Sequence, residues 1–508
     1  ITFPDWYGSK LCKKKYLKTA IKLWTPQAKK GDKKAQYQLG LLHYNGSGVK
    51  KDYKKAFKWW QLSSKQGYDL AQYRLGVLSY DGRGTKKDNK KAFGWYEKSS
   101  NQGNMLAQYR LGTMYHLSGK YKKAFKWHNE AAKQGYFKSQ YMLGYYYSKG
   151  LGVSKNSEQA FLSYKKASDQ GHEKAQYRLG VMYEKGIWTQ KDDKKAFKWY
   201  EKSSKQGYKF SHYRLGRLYH INQDYKKAYT LYKKSALEGY YKAQFELALF
   251  YFSGKGVSQN YASAYEWFSK AAKQGYSRAQ YDLGVMHEYG LHVKKDYKKA
   301  FQWYQKSARK GYAKAQFDLA VLYYKGNGVD KNPKKSFKWF QKAAKQGYAK
   351  AEFEISIFYF NGIIVKKDHP KALKIFEKLA KQGYAQAQFN LGVLYEKAVI
   401  VKGDFKQAFH WYEKAAIQGY SLAQYNLALL YQIGNGVDKS NETASQWMIK
   451  AATNNLAIAQ FSLGQMYYTG RGVKLDKQKA AQWIKKSYEN GFSQAKVIWD
   501  KYKLKEFL

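Results

Sequence analysis

The side chains best placed to bind a partner stand directly after an aromatic residue, in a pattern that recurs every 36 or 32 residues. We call this series the charged ladder. Its members are arginines at Arg74, Arg110, Arg178 and Arg214, acids at Glu246, Asp282, Asp318 and Glu354, and amides at Asn390 and Asn426. Four consecutive acids are unusual in a chain with only 37 acidic residues. The ladder therefore predicts a binding surface. Two simpler explanations are an internal duplication, for the arginines, and the attraction of acids to helix N-termini.

A second charged series consists of lysine pairs, which we call the basic ridge. Its members are Lys54, Lys55, Lys90, Lys91, Lys194, Lys195, Lys298 and Lys299. The net charge is +56, and nine of the 93 basic residues are arginines, which leaves 84 lysines. Because lysine is a hydrated point charge without the planar fork of arginine, this balance favours diffuse attraction to an acidic polymer or anionic surface over sequence-specific recognition. A coding bias toward lysine would produce the same ridge without a function.

The sequence offers little for catalysis, cofactors or metals. The ten histidines are scattered, and neither a His-Glu-x-x-His pattern nor a phosphate-binding Gly-x-x-x-x-Gly-Lys-Ser/Thr pattern occurs. The Gly-x-Gly elements, such as those at Gly46 and Gly326, follow a helical pattern rather than a strand, so they indicate turns. The single cysteine, Cys12, excludes an internal disulfide and a cysteine-based metal cluster. We expect no enzyme activity, no catalytic or metal-binding residue and no cofactor.

Two aromatic rows accompany the charged residues. The first row is Trp59, Trp95, Trp127, Trp199, Trp267, Trp303, Trp339, Trp411, Trp447 and Trp483. A row of indoles on a basic protein could stack nucleic-acid bases. However, each indole lies three residues after a small residue, which favours packing between repeats. The second row, from Tyr37 to Phe461, exchanges tyrosine and phenylalanine, so the ring matters more than the hydroxyl.

The elements that position these side chains are predicted by the period itself. A small residue opens each unit, and it lies at positions 35, 71, 107, 139, 175, 211, 243, 279, 315, 351, 387, 423, 459 and 495. Ala315, Leu319 and Leu322 fall on one face of a helix, and Gly326 ends it. A second helix starts at Asp, Asn or Ser in twelve of thirteen units, with Lys120 as the exception. A glycine such as Gly347 ends it.

The segment from Ala71 to Gly76, with Gly48, Asp52 and Ala56 of the preceding unit, resembles the Sel1-like repeat, a relative of the tetratricopeptide repeat. The resemblance implies an all-α, right-handed superhelical solenoid of about thirteen helix pairs. We expect residues 1–34 to form an N-terminal extension and capping helices, 35–494 the solenoid, and 495–508 a C-terminal capping helix. The units at Ala107 and Ser211 lack the glycine loop, and the unit at Ala387 replaces it with residues 398–403.

The resemblance also implies a function. We expect a non-enzymatic scaffold or adaptor of a bacterial envelope or secreted system, with a protein partner in the superhelical groove, or an immunity protein that neutralises a toxin. The alternative is an electrostatic binder of nucleic acid or acidic polysaccharide. No apolar stretch is long enough to cross a membrane, and we expect a monomer outside its complex. If a leader was removed before Ile1, the protein is periplasmic or secreted, and a cytoplasmic location stays open.

Overall fold

The computed structural model of the chain describes residues 10–399, 401–501 and 503–507. Within them the regular elements are 28 α-helices and a 3-10 helix at Leu504–Phe507. The α-helices are α1 Lys10–Lys29, α2 Lys33–Asn45, α3 Tyr53–Lys65, α4 Asp69–Asp81, α5 Asn89–Asn101, α6 Met105–Leu117, α7 Tyr121–Lys133, α8 Phe137–Lys149, α9 Ser157–Asp169, α10 Glu173–Lys185, α11 Asp193–Lys205, α12 Lys209–Ile221, α13 Tyr225–Leu237, α14 Tyr241–Ser253, α15 Tyr261–Lys273, α16 Ser277–Tyr289, α17 Tyr297–Arg309, α18 Ala313–Lys325, α19 Pro333–Ala344, α20 Ala349–Asn361, α21 His369–Lys381, α22 Ala385–Glu396, α23 Phe405–Ile417, α24 Ser421–Ile433, α25 Asn441–Thr453, α26 Ala457–Thr469, α27 Lys477–Glu489 and α28 Ser493–Lys501.

The helices from α2 to α27 form thirteen pairs, one for each repeat, as the sequence predicts. We call the even-numbered helix of a pair its A helix and the odd-numbered helix its B helix. Each helix packs mainly against its neighbours in the chain, which is the nearest-neighbour cohesion of a solenoid. The fold is therefore an all-α solenoid, and its right-handed sense stays a prediction.

The chain divides into two compact units, Ile1–Gln259 and Asn260–Leu508. Unit 1 contains α1 to α14, and unit 2 contains α15 to α28 with the 3-10 helix. The predicted division into an extension, a solenoid and a terminal cap stays a prediction. Part of the predicted extension, residues 1–9, lies outside the described residues, and α1 continues to Lys29 with Ala20 and Ala28 buried.

The core is built from the repeating small and apolar positions. In α18, Ala315, Leu319 and Leu322 are buried, and they pack against Tyr304 of α17. Tyr304 belongs to the preceding repeat, and Trp339 of α19, in the same repeat as α18, packs against the same cluster. Because each cluster needs side chains from neighbouring repeats, no repeat completes its core alone.

The predicted start signals of the B helices are confirmed. In twelve B helices the capping side chain accepts a hydrogen bond from the backbone N–H three residues later, as Asp296 does from Lys299 at 2.9 Å. Lys120 begins α7 without such a bond. The closing glycines adopt the predicted left-handed conformation, with φ of 78° at Gly347. These signals fix the length of most B helices.

A glutamine in the second position of the pattern ties three helices together, which the sequence analysis does not predict. Gln316 donates from Nε2 to the backbone oxygen of Ala308, at the end of the preceding B helix, over 3.1 Å. Its Oε1 accepts from Nε2 of Gln346, at the end of its own B helix, over 2.8 Å. The amide thus joins neighbouring repeats through buried hydrogen bonds.

Candidate partner-binding face

The charged ladder lies on the A helices, and two of its arginines contact residues near the end of the preceding A helix. Arg214 of α12 reaches back to Glu184 of α10, with 3.3 Å between Nη1 and Oε1. The guanidinium carbon of Arg74 lies 6.0 Å from the ring centroid of Tyr44 and 5.9 Å from that of Trp60, both in the preceding repeat. We call the surface that carries the ladder the A-helix face. The structure places Arg74, Arg110, Arg178, Arg214 and Glu246 on this face in unit 1, and Asp282, Asp318, Glu354, Asn390 and Asn426 on it in unit 2.

The ladder residues differ in exposure and in pairing. Arg110 is exposed, and the other nine are partly buried. In unit 1, burial opposes the charge of Arg178, but the hydroxyls of Tyr164 and Tyr141 outweigh it and raise its pKa. Arg178 therefore remains a cation, and it and Arg74 lie beside aromatic rings that favour a guanidinium.

The acids of unit 2 are held in a different electrostatic state. Burial raises the pKa of Asp282 to about 7 and that of Asp318 to about 6, and it also raises the pKa of Glu354. The hydroxyl of Tyr281 opposes the shift at Asp318, whereas Glu288 adds to it. Within the described part of the chain, none of the three ladder acids forms an ion pair. Three half-buried carboxyl groups thus lack a cationic partner in a protein with 93 basic residues.

A second row of acids, which the sequence analysis missed, lies beside the ladder. The hydroxyls of three buried tyrosines donate to carboxylates near the ends of the A helices. The pairs are Tyr200 with Glu184 at 2.5 Å, Tyr304 with Glu288 at 2.6 Å, and Tyr412 with Glu396 at 2.5 Å. In each pair the tyrosine follows the glutamate by 16 residues. This recurring spacing is the sequence signal from which the pairs could have been predicted. The ladder residue Asn426 also lies near the hydroxyl of Tyr412, where it acts to lower the pKa of that hydroxyl.

The basic ridge lies in the first turns of the B helices, and all eight of its lysines are exposed. The second lysine of three pairs meets the capping aspartate, which the sequence analysis did not predict. The Nζ–Oδ2 distances are 3.7 Å for Lys91 and Asp88, 3.4 Å for Lys195 and Asp192, and 3.8 Å for Lys299 and Asp296. Such exposed pairs add little stability, but they reduce the local positive charge. The first lysine of each pair supplies most of the ridge's field.

The tryptophan row packs between repeats, as predicted, although most of its rings remain partly exposed. A lysine one turn later covers many of these rings. The Nζ of Lys342 lies 4.0 Å from the centroid of Trp339, and that of Lys450 lies 3.9 Å from Trp447. Because one side of the indole meets the core and a lysine covers the ring, base stacking on this row is disfavoured.

Two properties of the described residues, their fit to a membrane and to a metal ion, bear on the class of the protein. No helix of the described chain is both long and apolar enough to cross a membrane. Nor do the described residues bring together three or more side chains of the types that hold a metal ion.

The geometry defines a class of protein, a solenoid of helix pairs with a charged A-helix face. Models of the Sel1 repeat match thirteen consecutive segments between residues 33 and 492. The chain therefore belongs to the Sel1 repeat family. Comparison with the curated proteins gave no match.

Among solved structures, c5321, a protective antigen present in uropathogenic Escherichia coli strains, is similar over 95% of this chain and 97% of its own. The identity is 32% and the TM-score is 0.52. A Sel1 repeat protein from Oxalobacter formigenes is 31% identical over 47% of this chain and 96% of its own, with a TM-score of 0.45. An immunity protein from Pseudomonas aeruginosa, Pa5087, is 20% identical over 42% of this chain and 81% of its own, with a TM-score of 0.32.

Proposed function

We propose that the protein is a non-enzymatic scaffold or adaptor of a bacterial envelope or secreted system, and that its A-helix faces bind a protein partner. The observation that carries this proposal is the set of unpaired, half-buried acids Asp282, Asp318 and Glu354 on the A-helix face of unit 2. Burying charge without a partner costs free energy. A cationic side chain of a bound protein offsets that cost, so the acids favour a complex.

The sign of the ladder specifies the partner's chemistry for each unit. The A-helix face of unit 1 carries arginines, which pair with carboxylates in planar, directed hydrogen bonds. The A-helix face of unit 2 carries acids, which pair with lysine or arginine. Complementary charge across an interface mainly supplies specificity and a fast encounter. The partner of this proposal therefore presents an acidic segment to unit 1 and a basic segment to the ladder acids Asp282, Asp318 and Glu354 of unit 2.

The proposed location is periplasmic or secreted. The E. coli relative is a protective antigen, which supports this location. One form of the proposal is an immunity protein, in which the partner is a toxin enzyme. In that form, binding abolishes the activity of the toxin enzyme. An activity assay of the isolated partner, with and without this protein, measures the effect.

The test is site-specific photo-crosslinking in cells of the source organism. A crosslinking amino acid placed at Asp318 should yield a discrete crosslinked protein, whereas one placed at Lys298 on the basic ridge should not. The captured partner is then tested with Asp318→Lys. Asp330→Lys is the matched control, because it makes the same change of charge at an exposed loop residue. The proposal fails if both variants bind the partner equally.

A second candidate function, binding of a polyanion, is favoured by the exposure of the whole basic ridge. The probes are a labelled oligonucleotide and an acidic polysaccharide over roughly 50–300 mM salt, because phosphate-dominated affinity falls steeply and linearly on a log–log plot. Tight binding by the wild type near 150 mM salt would support this function if it is lost when Lys54, Lys90, Lys194 and Lys298 are replaced by glutamate. Negligible binding by the wild type at that salt concentration rejects it.

A further inference from the structure

One large side chain of each B helix fills the space between neighbouring A helices. It directly follows the position of the tryptophan row. In the first eleven repeats this side chain is an aromatic ring: Trp60, Tyr96, His128, Tyr164, Tyr200, Tyr232, Phe268, Tyr304, Phe340, Phe376 and Tyr412. All eleven are buried, with exposures of 2% or less. The ring is thus a regular structural part of the repeat.

The last two repeats lack this ring. Met448 and Ile484 take its place, each 1% exposed. A cavity of about 520 Å³ lies at these two positions, with Met448, Met466 and Ile484 among its apolar lining. Ile498 of α28 and Leu504 of the 3-10 helix also line it. Because an unbranched or short aliphatic side chain does not fill the space of an aromatic ring, the missing rings contribute to the cavity.

The polar groups that serve a tyrosine hydroxyl are retained at the cavity. In the preceding repeat the hydroxyl of Tyr412 contacts Glu396 and lies near Asn426. The residues 36 positions later are Gln432 and Ser462, and both line the cavity. An amide and a hydroxyl therefore stand where the phenol of Tyr412 is held one repeat earlier, and Met448 supplies no hydroxyl at that ring position. Tyr468 of α26 also lines the cavity.

Ser462, which holds the ladder position of the thirteenth repeat, lines the cavity, and the exposed lining residues are Gln465, Thr469 and Arg471. The lining of the cavity includes the exposed cation Arg471 and no aspartate or glutamate. A ligand that carries a carboxylate next to an aromatic ring thus complements both the apolar interior and the charge at the rim. A volume of about 520 Å³ falls within the range of ligand pockets.

We propose that this cavity receives an aromatic side chain of the partner polypeptide, a tyrosine next to an acidic residue, which replaces the ring that the last two repeats lack. This inference rests on the proposed function, since the partner lies on the A-helix face of unit 2. It adds the anchor residue that the charged ladder does not specify. Such buried aromatic anchors dominate the affinity of many protein interfaces.

The test measures binding of two probes to the full chain by ligand-observed NMR. The first probe is p-cresol, which is the tyrosine side chain alone, and the second is N-acetyl-L-tyrosine amide, which adds backbone on both sides. We expect both probes to bind the wild-type chain. Met448→Phe restores a ring of the kind that stands opposite alanine elsewhere, since Ala428 lies opposite Met448 as Ala320 lies opposite Phe340, so it should weaken the binding of both probes by about tenfold or more. Ile433→Phe is the matched control, because it adds the same ring at a position that is 62% exposed, and its binding should equal that of the wild type.

Each outcome decides the inference. If neither probe binds, or if Met448→Phe binds them as the wild type does, the cavity is not a ring site. Binding of p-cresol without N-acetyl-L-tyrosine amide indicates a site for small phenols and rejects a polypeptide side chain. A lower unfolding temperature of Met448→Phe means that the space does not fit a ring. Neither probe depends on the ladder. If the probes do not bind, the proposed function is still tested by the crosslinking at Asp318. If the crosslinking fails, the result with the probes still holds.

Discussion

A glycine of the A helix lies against the buried ring of the B helix, and replacing it by alanine should destabilise the repeat. At Gly284 an added Cβ would lie 2.5 Å from both Cδ1 and Cε1 of Tyr304. The ring of Tyr304 is 0% exposed, and its hydroxyl is held by Glu288 at 2.6 Å. The ring therefore cannot withdraw without breaking that hydrogen bond.

The expected magnitude follows from two opposing terms. Overpacking of a filled core costs about 1–3 kcal/mol, and the contact here is at the severe end. Alanine is the better helix former by about 1 kcal/mol, which offsets part of the cost. We expect Gly284→Ala to lose about 1–2 kcal/mol of local stability.

Amide hydrogen exchange of α16 and α17 measures this change, because a solenoid opens locally rather than in one step. Gly94→Ala is the matched control. Gly94 is also a helical glycine, but an added Cβ there meets nothing within 4 Å, so alanine should stabilise α5 by up to about 1 kcal/mol. If both variants change stability in the same direction, the reasoning from the Tyr304 contact is wrong.

A double substitution tests the role of the hydroxyl. Where the ring is a phenylalanine, the A-helix residue is larger than glycine, as in the pairs Ala248 with Phe268, Ala320 with Phe340, and Ser356 with Phe376. A ring without a hydroxyl need not reach the carboxylate, so it can leave room for a Cβ. Adding Tyr304→Phe to Gly284→Ala should therefore cost less than the sum of the single variants, with a coupling of about 1 kcal/mol. Additive costs would contradict this explanation.

Three further predictions concern caps, pH and the tryptophan row. Lys120→Asp should stabilise α7, and Asp296→Ala should destabilise α17, each by about 1 kcal/mol in hydrogen exchange. Because the folded-state pKa of Asp282 is raised to about 7, above the unfolded value, the folded chain binds more protons and stability should fall as pH rises from about 4 to 7. Asp282→Asn should reduce that fall in urea unfolding at pH 5 and pH 8. Lys342→Ala should cost about 0.5–1 kcal/mol by loss of its contact with Trp339, and Lys342→Arg should restore it.

The sequence predicts the fold because the same local signals are repeated thirteen times. The caps from Asp52 to Asp476, the closing glycines and the buried alanines each act within a few residues, so their effect is readable without tertiary information. The hydrogen bond from Gln346 to Gln316 was not predicted, because it joins residues 30 positions apart. Its only sequence signal is that both positions recur.

The candidate site was predictable only in part for the same reason. The ladder positions could be read from the chain, whereas the raised pKa of Asp318 depends on burial between A helices and on Glu288 of the preceding repeat. The cavity was harder to predict, because the signal is the absence of a ring at Met448 and Ile484. A substitution of one apolar residue by another carries no periodicity signal, although it changes what the space can hold.

The repeat separates the residues that build the fold from those that are free to vary. The small residues, the leucines and the capping side chains recur because each meets a neighbour that also recurs. The ladder position does not: it is arginine at Arg178, aspartate at Asp318 and serine at Ser462, while the helix around it is unchanged. A position whose charge changes sign at no cost to the helix is not selected by folding. Because Ser462, at this same position in the thirteenth repeat, lines the cavity, partner recognition by charge and by shape would use one row of the solenoid.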